Sequence, residues 1–78
     1  MNFHTLDVVV LNDDLPAQGL QRGDLGTIVD IYASDAVEVE FVTASGRTQA
    51  LVTLHPSAVR EVADNDLVAV RPASRRDV

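Results

Sequence analysis

The chain has 78 residues, of which 46% are hydrophobic, with no cysteine and a formal net charge of −6. A chain of this length forms one small domain, which buries only about 60% of the surface that its unfolded form exposes. The lack of cysteine excludes disulfides and thiolate metal sites, and the acidic balance disfavours phosphate backbones and anionic membrane surfaces as partners.

The charge is concentrated in the first four fifths of the chain. Residues 1–62 hold nine acidic residues and three arginines, which gives −6, whereas residues 63–78 hold three of each. A negative field of this kind favours a basic protein partner, with no nucleic acid or membrane expected. The N-terminal residues lack the basic and apolar regions of a signal peptide, so we expect a cytoplasmic location.

The first predicted strand covers residues 6–11, a valine-rich run. β-Branched residues favour strands, and nearly continuous apolar character predicts burial on both faces. A long connection follows over residues 12–26, within which Leu15 and Leu20 should fold onto the core. Its structural turn residues are the glycines that allow the chain to reverse direction, namely Gly19, Gly23 and Gly26.

The next two predicted strands, residues 26–32 and 36–42, form an antiparallel hairpin because a short link joins them. Strict alternation in the first of them would place Thr27, Val29 and Ile31 on one face. In the second, alternation directs the apolar side chains inward and Glu38 and Glu40 outward. The inward set is Val37, Val39 and Phe41.

A second hairpin turn at residues 43–47, with Gly46 as its left-handed residue, leads to a fourth strand at residues 48–54. Both faces of that strand offer apolar atoms, and we favour the set Ala50, Val52 and Leu54 as inward. A 3₁₀ turn at residues 55–58 and a fifth strand at residues 59–62 follow.

The C-terminal extension, residues 63–78, contains one further apolar run. Residues 67–70 predict a sixth strand, which could close the sheet, pair with a second copy or join a partner's sheet. The homo-oligomer would form through Leu67, Val68, Ala69 and Val70. Residues 74–78 predict a disordered tail.

These elements together predict an all-β fold, a small SH3-like antiparallel barrel of five strands over residues 1–62. Its predicted core is Val8, Val10, Val29, Ile31, Val37, Val39, Phe41 and Val52. Residues 23–29, Gly-Asp-Leu-Gly-Thr-Ile-Val, resemble the Gly-x-x-Gly-x-Val centre of KOW-type barrels in ribosomal and transcription proteins. The span 6–62 is similar to a family of small bacterial barrels classed as a domain of unknown function, through its segments 6–9, 15–16, 23–27, 37–41 and 50–54. That resemblance implies the barrel fold and no catalytic residue.

No residue pattern predicts a catalytic or metal site. Asp13, Asp14 and Asp24 could supply oxygen ligands to a cation, but they lack EF-hand spacing and suit turn capping. His4 and His55 would need added carboxylates to bind zinc, and the glycine-rich stretch lacks the lysine and helix of a P-loop. We therefore expect no enzymatic activity, cofactor or bound metal.

One surface is predicted to bind a partner. Asp30, Tyr32, Glu38 and Glu40 should share the outer face of the first hairpin, as either a solvated acidic face or a docking surface. We expect a non-enzymatic acidic protein-binding module, such as an accessory, antitoxin-like or immunity-like protein for a basic protein partner. The alternatives are a KOW-like nucleic-acid-associated barrel and a small structural subunit of a larger enzyme.

Overall fold

The computed structural model describes residues 3–33 and 35–73, and over these residues the chain is all-β. The strands are β1 (Val8–Leu11), β2 (Leu25–Tyr32), β3 (Ala36–Val42), β4 (Thr48–Leu54) and β5 (Val59–Glu61), with 3₁₀ turns at Pro16–Gln18 and Pro56–Ala58. They form one antiparallel sheet in the order β4-β3-β2-β1-β5. The all-β, five-stranded antiparallel fold is therefore confirmed, and β3 and β4 have the predicted bounds.

The sheet curves around one core without closing through hydrogen bonds. Over the described residues, β4 pairs with β3 alone and β5 pairs with β1 alone. Both edge strands still contribute to a single apolar cluster, Ala50 from β4 and Val59 from β5. Side-chain packing, rather than a continuous ladder, brings the two edges of the sheet together.

The core prediction is correct in β3 and wrong for two positions elsewhere. Val37, Val39 and Phe41 are buried as their alternation predicts. Val8 is instead 49% exposed, and the buried members of β1 are Val9, Val10 and Leu11. The valine run of β1 carries no polar residue to mark an outer face, so its alternation could not be assigned from sequence.

A bulge in β2 explains the second error, the inward placement of Val29. The pairing with β3 shifts between Ile28 and Asp30, so Val29 is the extra residue. A bulge changes which side chains share a face. Ile28 is fully buried, Ile31 packs against the same core, and Val29 is only partly buried.

Gly26 is the second residue of β2, opposite Val9 of β1, and two core side chains lie directly above its backbone. A Cβ atom there would come 2.5 Å from Cγ1 of Val39 and 2.8 Å from Cε2 of Phe41. Glycine therefore permits the close approach of β2 to the β3 side chains. The turn glycines Gly19, Gly23 and Gly46 have positive φ angles of 70°, 94° and 88°.

The long first connection packs onto the core as predicted. Leu20 is buried, Leu15 packs against the same cluster, and the two residues exchange backbone hydrogen bonds of 3.0 and 3.1 Å. The 3₁₀ turn at Pro16–Gln18 lies between them, and Gly19 ends it. The connection thus covers one end of the core instead of extending into solvent.

The predicted sixth strand does not close the sheet within the chain. Residues 67–70 are described but are not part of the sheet, and Leu67, Val68 and Val70 are among the most exposed apolar side chains. Ion pairs lie on either side of this segment, Arg60–Asp66 before it and Arg71–Asp24 after it. The predicted disordered tail, residues 74–78, lies outside the described residues. None of the described residues forms a helix long and apolar enough to cross a membrane.

Candidate protein-binding surface

The four residues predicted to bind a partner lie on adjacent strands. Asp30 in β2 is directly opposite Glu38 in β3, and Glu40 is opposite Thr27. Tyr32 follows Asp30 by two residues and therefore projects on the same side of the strand. Asp30 and Tyr32 are exposed, and Glu38 and Glu40 are partly exposed. We call Asp30, Tyr32, Glu38 and Glu40 the acidic face.

A hydrogen bond fixes the side chains at the centre of the acidic face. The Tyr32 hydroxyl donates to Oε2 of Glu38 at 2.7 Å. This bond, partial desolvation and the negative charges of Glu38 and Asp30 raise the pKa of Tyr32 to about 12. The phenol therefore stays protonated at neutral pH and keeps the Glu38 carboxylate in one orientation.

The other two carboxylates of the acidic face also have defined positions. Glu40 accepts a hydrogen bond of 2.6 Å from the Thr48 hydroxyl in β4, and Asp30 accepts one of 2.8 Å from the Ile31 backbone N–H. Each retains lone pairs that these contacts do not use, since a carboxylate offers about four acceptor sites. The face therefore presents several oriented acceptors to a cationic group.

The Asp30–Glu38 pair is unfavourable for the sheet itself. Like charges directly opposite on neighbouring strands destabilise a β-sheet. No described arginine is recorded in an ion pair with either of them. An arginine or lysine side chain from another protein would remove that repulsion and find oriented acceptors on this surface.

Two arginine–aspartate bridges are features that the sequence interpretation did not anticipate. Arg60 of β5 donates from Nη1 and Nη2 to the two carboxylate oxygens of Asp66, at 2.8 and 3.0 Å. Arg71 donates from Nε to Oδ1 of Asp24 at 2.9 Å and from Nη2 to Oδ2 at 2.5 Å. The presence of opposite charges in the sequence was only a weak indication of these bridges. Asp24 and Arg71 are 47 residues apart, and no local pattern connects them.

Both bridges lower the pKa of their aspartates. Asp24 is partly buried, which by itself would raise its pKa, but hydrogen bonds from Arg71 and from the Gln21 N–H outweigh burial and lower it. For Asp66, the bonds from Arg60 and from the Ala63 N–H lower the pKa to about 2. Both carboxylates are therefore ionised and paired at neutral pH.

The residues considered for metal binding serve in turns. Asp14 accepts the Arg22 N–H at 2.8 Å, and Asp24 accepts the Gln21 N–H at 2.8 Å in addition to its bridge. His55 caps the second 3₁₀ turn, since its Nδ1 accepts the Ser57 N–H at 3.1 Å. Within residues 3–33 and 35–73, no three acidic or histidine side chains are grouped to hold a metal ion.

Comparison with known proteins gives one match. The family model for a domain of unknown function, DUF4926, matches residues 5–61. No curated protein and no solved structure matches the chain. The matched span contains all five strands, the acidic face and Asp24, and it ends before Asp66 and Arg71.

Proposed function

The chain belongs to DUF4926, a domain of unknown function, and we propose a function for it from the charges on its own surface. It is a non-enzymatic module that binds a basic protein. The acidic face is the docking surface. The observation that carries the proposal is the Asp30–Glu38 pair, two carboxylates directly opposite on β2 and β3. Such a pair costs sheet stability, and a cationic partner offsets that cost.

The charge distribution supports the same proposal. The chain carries −6 overall, and a net field of one sign speeds the encounter with an oppositely charged partner. Two of the four described arginines, Arg60 and Arg71, are already paired with aspartates. Those pairs leave little cationic surface for phosphate groups, which disfavours the nucleic-acid alternative.

An antitoxin-like or immunity-like role is the narrower form of the proposal, in which the bound partner is a basic protein whose activity is blocked. Small size and excess negative charge support it. A cytoplasmic location belongs to the same proposal, because a chain without cysteine suits a reducing compartment.

The test is affinity capture with three immobilised proteins: the wild type, the Glu38→Gln/Glu40→Gln variant and the Asp13→Asn/Asp64→Asn variant. Glutamine keeps an oxygen that can accept the bonds from Tyr32 and Thr48, so the fold should be retained. The control makes the same change in net charge at exposed carboxylates outside the acidic face. Capture of the basic protein is compared at low and raised salt. Binding of generic RNA is measured separately.

We expect the wild type and the control to retain the same basic protein at low salt, with retention falling as salt rises. The variant of the acidic face should associate several-fold more slowly, because steering and oriented acceptors are both lost. Equal capture by all three proteins, or salt-sensitive binding of RNA by the wild type, would contradict the proposal.

A further inference from the structure

A second surface, separate from the acidic face, lies in the C-terminal extension. We call residues 66–71 the strap, because ion pairs fix both ends to the barrel. Asp66 is bound to Arg60 in β5, and Arg71 is bound to Asp24, next to β2. Arg71 also donates to the Gly19 carbonyl at 3.3 Å, so the C-terminal end of the strap is held at two points.

The apolar side chains between these bridges face solvent. Leu67 is 96% exposed, Val68 is 73% exposed and Val70 is 98% exposed. A flexible tail can expose such residues transiently, but here ion pairs hold the segment on the surface. Contiguous exposed apolar residues in a fixed position are typical of an interaction site.

The backbone of the strap is also without partners. Among the described residues, the N–H and carbonyl groups of residues 67–70 make no hydrogen bond. A short run of β-branched and apolar residues with free backbone groups is a template for pairing with another strand. The strap therefore offers both main-chain bonds and apolar side chains to a partner.

A groove of about 600 Å³ is lined by the strap, by the end of the first connection and by residues of β1, β2 and β3. Partly exposed apolar side chains from three parts of the barrel line it, namely Leu25, Val42 and Val62. The groove extends the apolar surface of the strap onto the barrel. A strand that paired with the strap could place alternate side chains in it.

We propose that the strap is the self-association strand of a homodimer, in which residues 67–70 of two copies pair antiparallel across a twofold axis. In that register Leu67 is opposite Val70, and Val68 is opposite Ala69 of the second copy. Every opposed pair is apolar and uncharged, so the segment is complementary to itself. A twofold interface requires this self-complementarity.

The area available agrees with a weak, reversible dimer. A large aliphatic side chain contributes roughly 60–120 Å² when it is buried. The three strap residues are largely exposed, whereas the three groove residues are only 38–48% exposed, so two copies supply roughly 500–900 Å² in total. That area is below the lower bound of about 1,200 Å² for stable, specific interfaces. We therefore expect dimerisation in the micromolar range or weaker.

Electrostatics permit two copies to approach at this surface despite their net charge. The bridges neutralise Asp66 and Arg71, which flank the apolar residues. Asp30 lies five residues along β2 from Leu25, roughly 17 Å by strand rise. That separation exceeds the screening length of about 8 Å at physiological salt, so the Asp30–Glu38 repulsion acts little at the strap.

The experiment is sedimentation velocity of the full chain over a wide concentration range, with amide NMR spectra at the same concentrations. Val68→Asp places a charge at the centre of the pairing, and Ala69→Pro removes a backbone donor while keeping an apolar residue. Leu6→Asp is the matched control. It adds the same charge at a residue that is 74% exposed, outside the groove and at a positive φ that aspartate tolerates.

For the wild type and Leu6→Asp, we expect the weight-average mass to rise with protein concentration towards twice that of the chain. Added salt should not weaken this association. Val68→Asp and Ala69→Pro should each weaken association at least tenfold. The amide resonances whose chemical shifts depend on protein concentration should belong to residues 67–70. A monomer at every concentration, a dimer unchanged by both strap variants, or shifts at the acidic face would overturn the proposal. Salt should weaken partner capture by the acidic face but not self-association through the strap. The two proposals can therefore fail independently of each other.

Discussion

The Tyr32 hydroxyl lies 2.7 Å from the Glu38 carboxylate and joins β2 to β3 at the centre of the acidic face. The chain contains a single tyrosine and no tryptophan, so the phenol is a spectroscopic probe of this contact. The bond also fixes the orientation of the Glu38 carboxylate. Its strength can therefore be measured directly.

We expect the Tyr32 phenol to titrate with a pKa of about 12 in the wild type, since deprotonation would break its hydrogen bond to Glu38 and place a phenolate beside that carboxylate. The raised pKa means that the contact stabilises the fold below the usual tyrosine pKa of 10.0, and that this contribution is lost as pH rises through about 12. In Glu38→Gln the midpoint should fall towards 10, measured by tyrosinate absorbance. Glu61→Gln is the control. An identical midpoint in Glu38→Gln would show that the bond does not persist in solution.

A substitution at Gly26 tests how closely β2 approaches the β3 side chains. Gly26→Ala should lower the free energy of unfolding by about 1–3 kcal/mol, because the new methyl group overlaps Val39 and Phe41. Denaturant unfolding measures the loss. In a Val39→Ala background the same change should cost less, since one of the overlapping atoms is removed. Equal cost in both backgrounds would contradict this account of the glycine.

The titration of the Asp66 carboxyl tests whether the N-terminal end of the strap is bound to β5. Its pKa lies at about 2, below the usual 3.8, so the bridge to Arg60 is present above pH 3.8 and is lost as pH falls through about 2. In Arg60→Gln the Asp66 midpoint should rise from about 2 towards 3.8, as followed by NMR, with the Ala63 N–H bond retaining part of the shift. Arg47→Gln removes an arginine outside both bridges and should leave the midpoint near 2. A midpoint near 3.8 in the wild type would show that the bridge does not form.

The all-β class, the bounds of β3 and β4, and the positions of the acidic-face residues could be predicted from the sequence alone. In β3 a polar residue separates each pair of apolar ones, so Val37, Val39 and Phe41 can be buried in only one register. That same alternation places Glu38 outside the sheet. Asp30 and Tyr32 were also assigned correctly to the outer face, because the β2 bulge precedes both residues.

The faces of β1 and β2 and the position of the strap depend on tertiary contacts, which the local sequence pattern does not predict. Val29 and Val8 were misplaced because a bulge shifted the face of β2, and because an unbroken valine run in β1 is consistent with either register. The strap depends on charges that are distant in sequence: Arg71 contacts Asp24 and the Gly19 carbonyl, both in the first connection, which folds over the core. An apolar segment whose local pattern predicts a strand therefore lies outside the sheet, and its two ends are placed by ion pairs to Arg60 and Asp24.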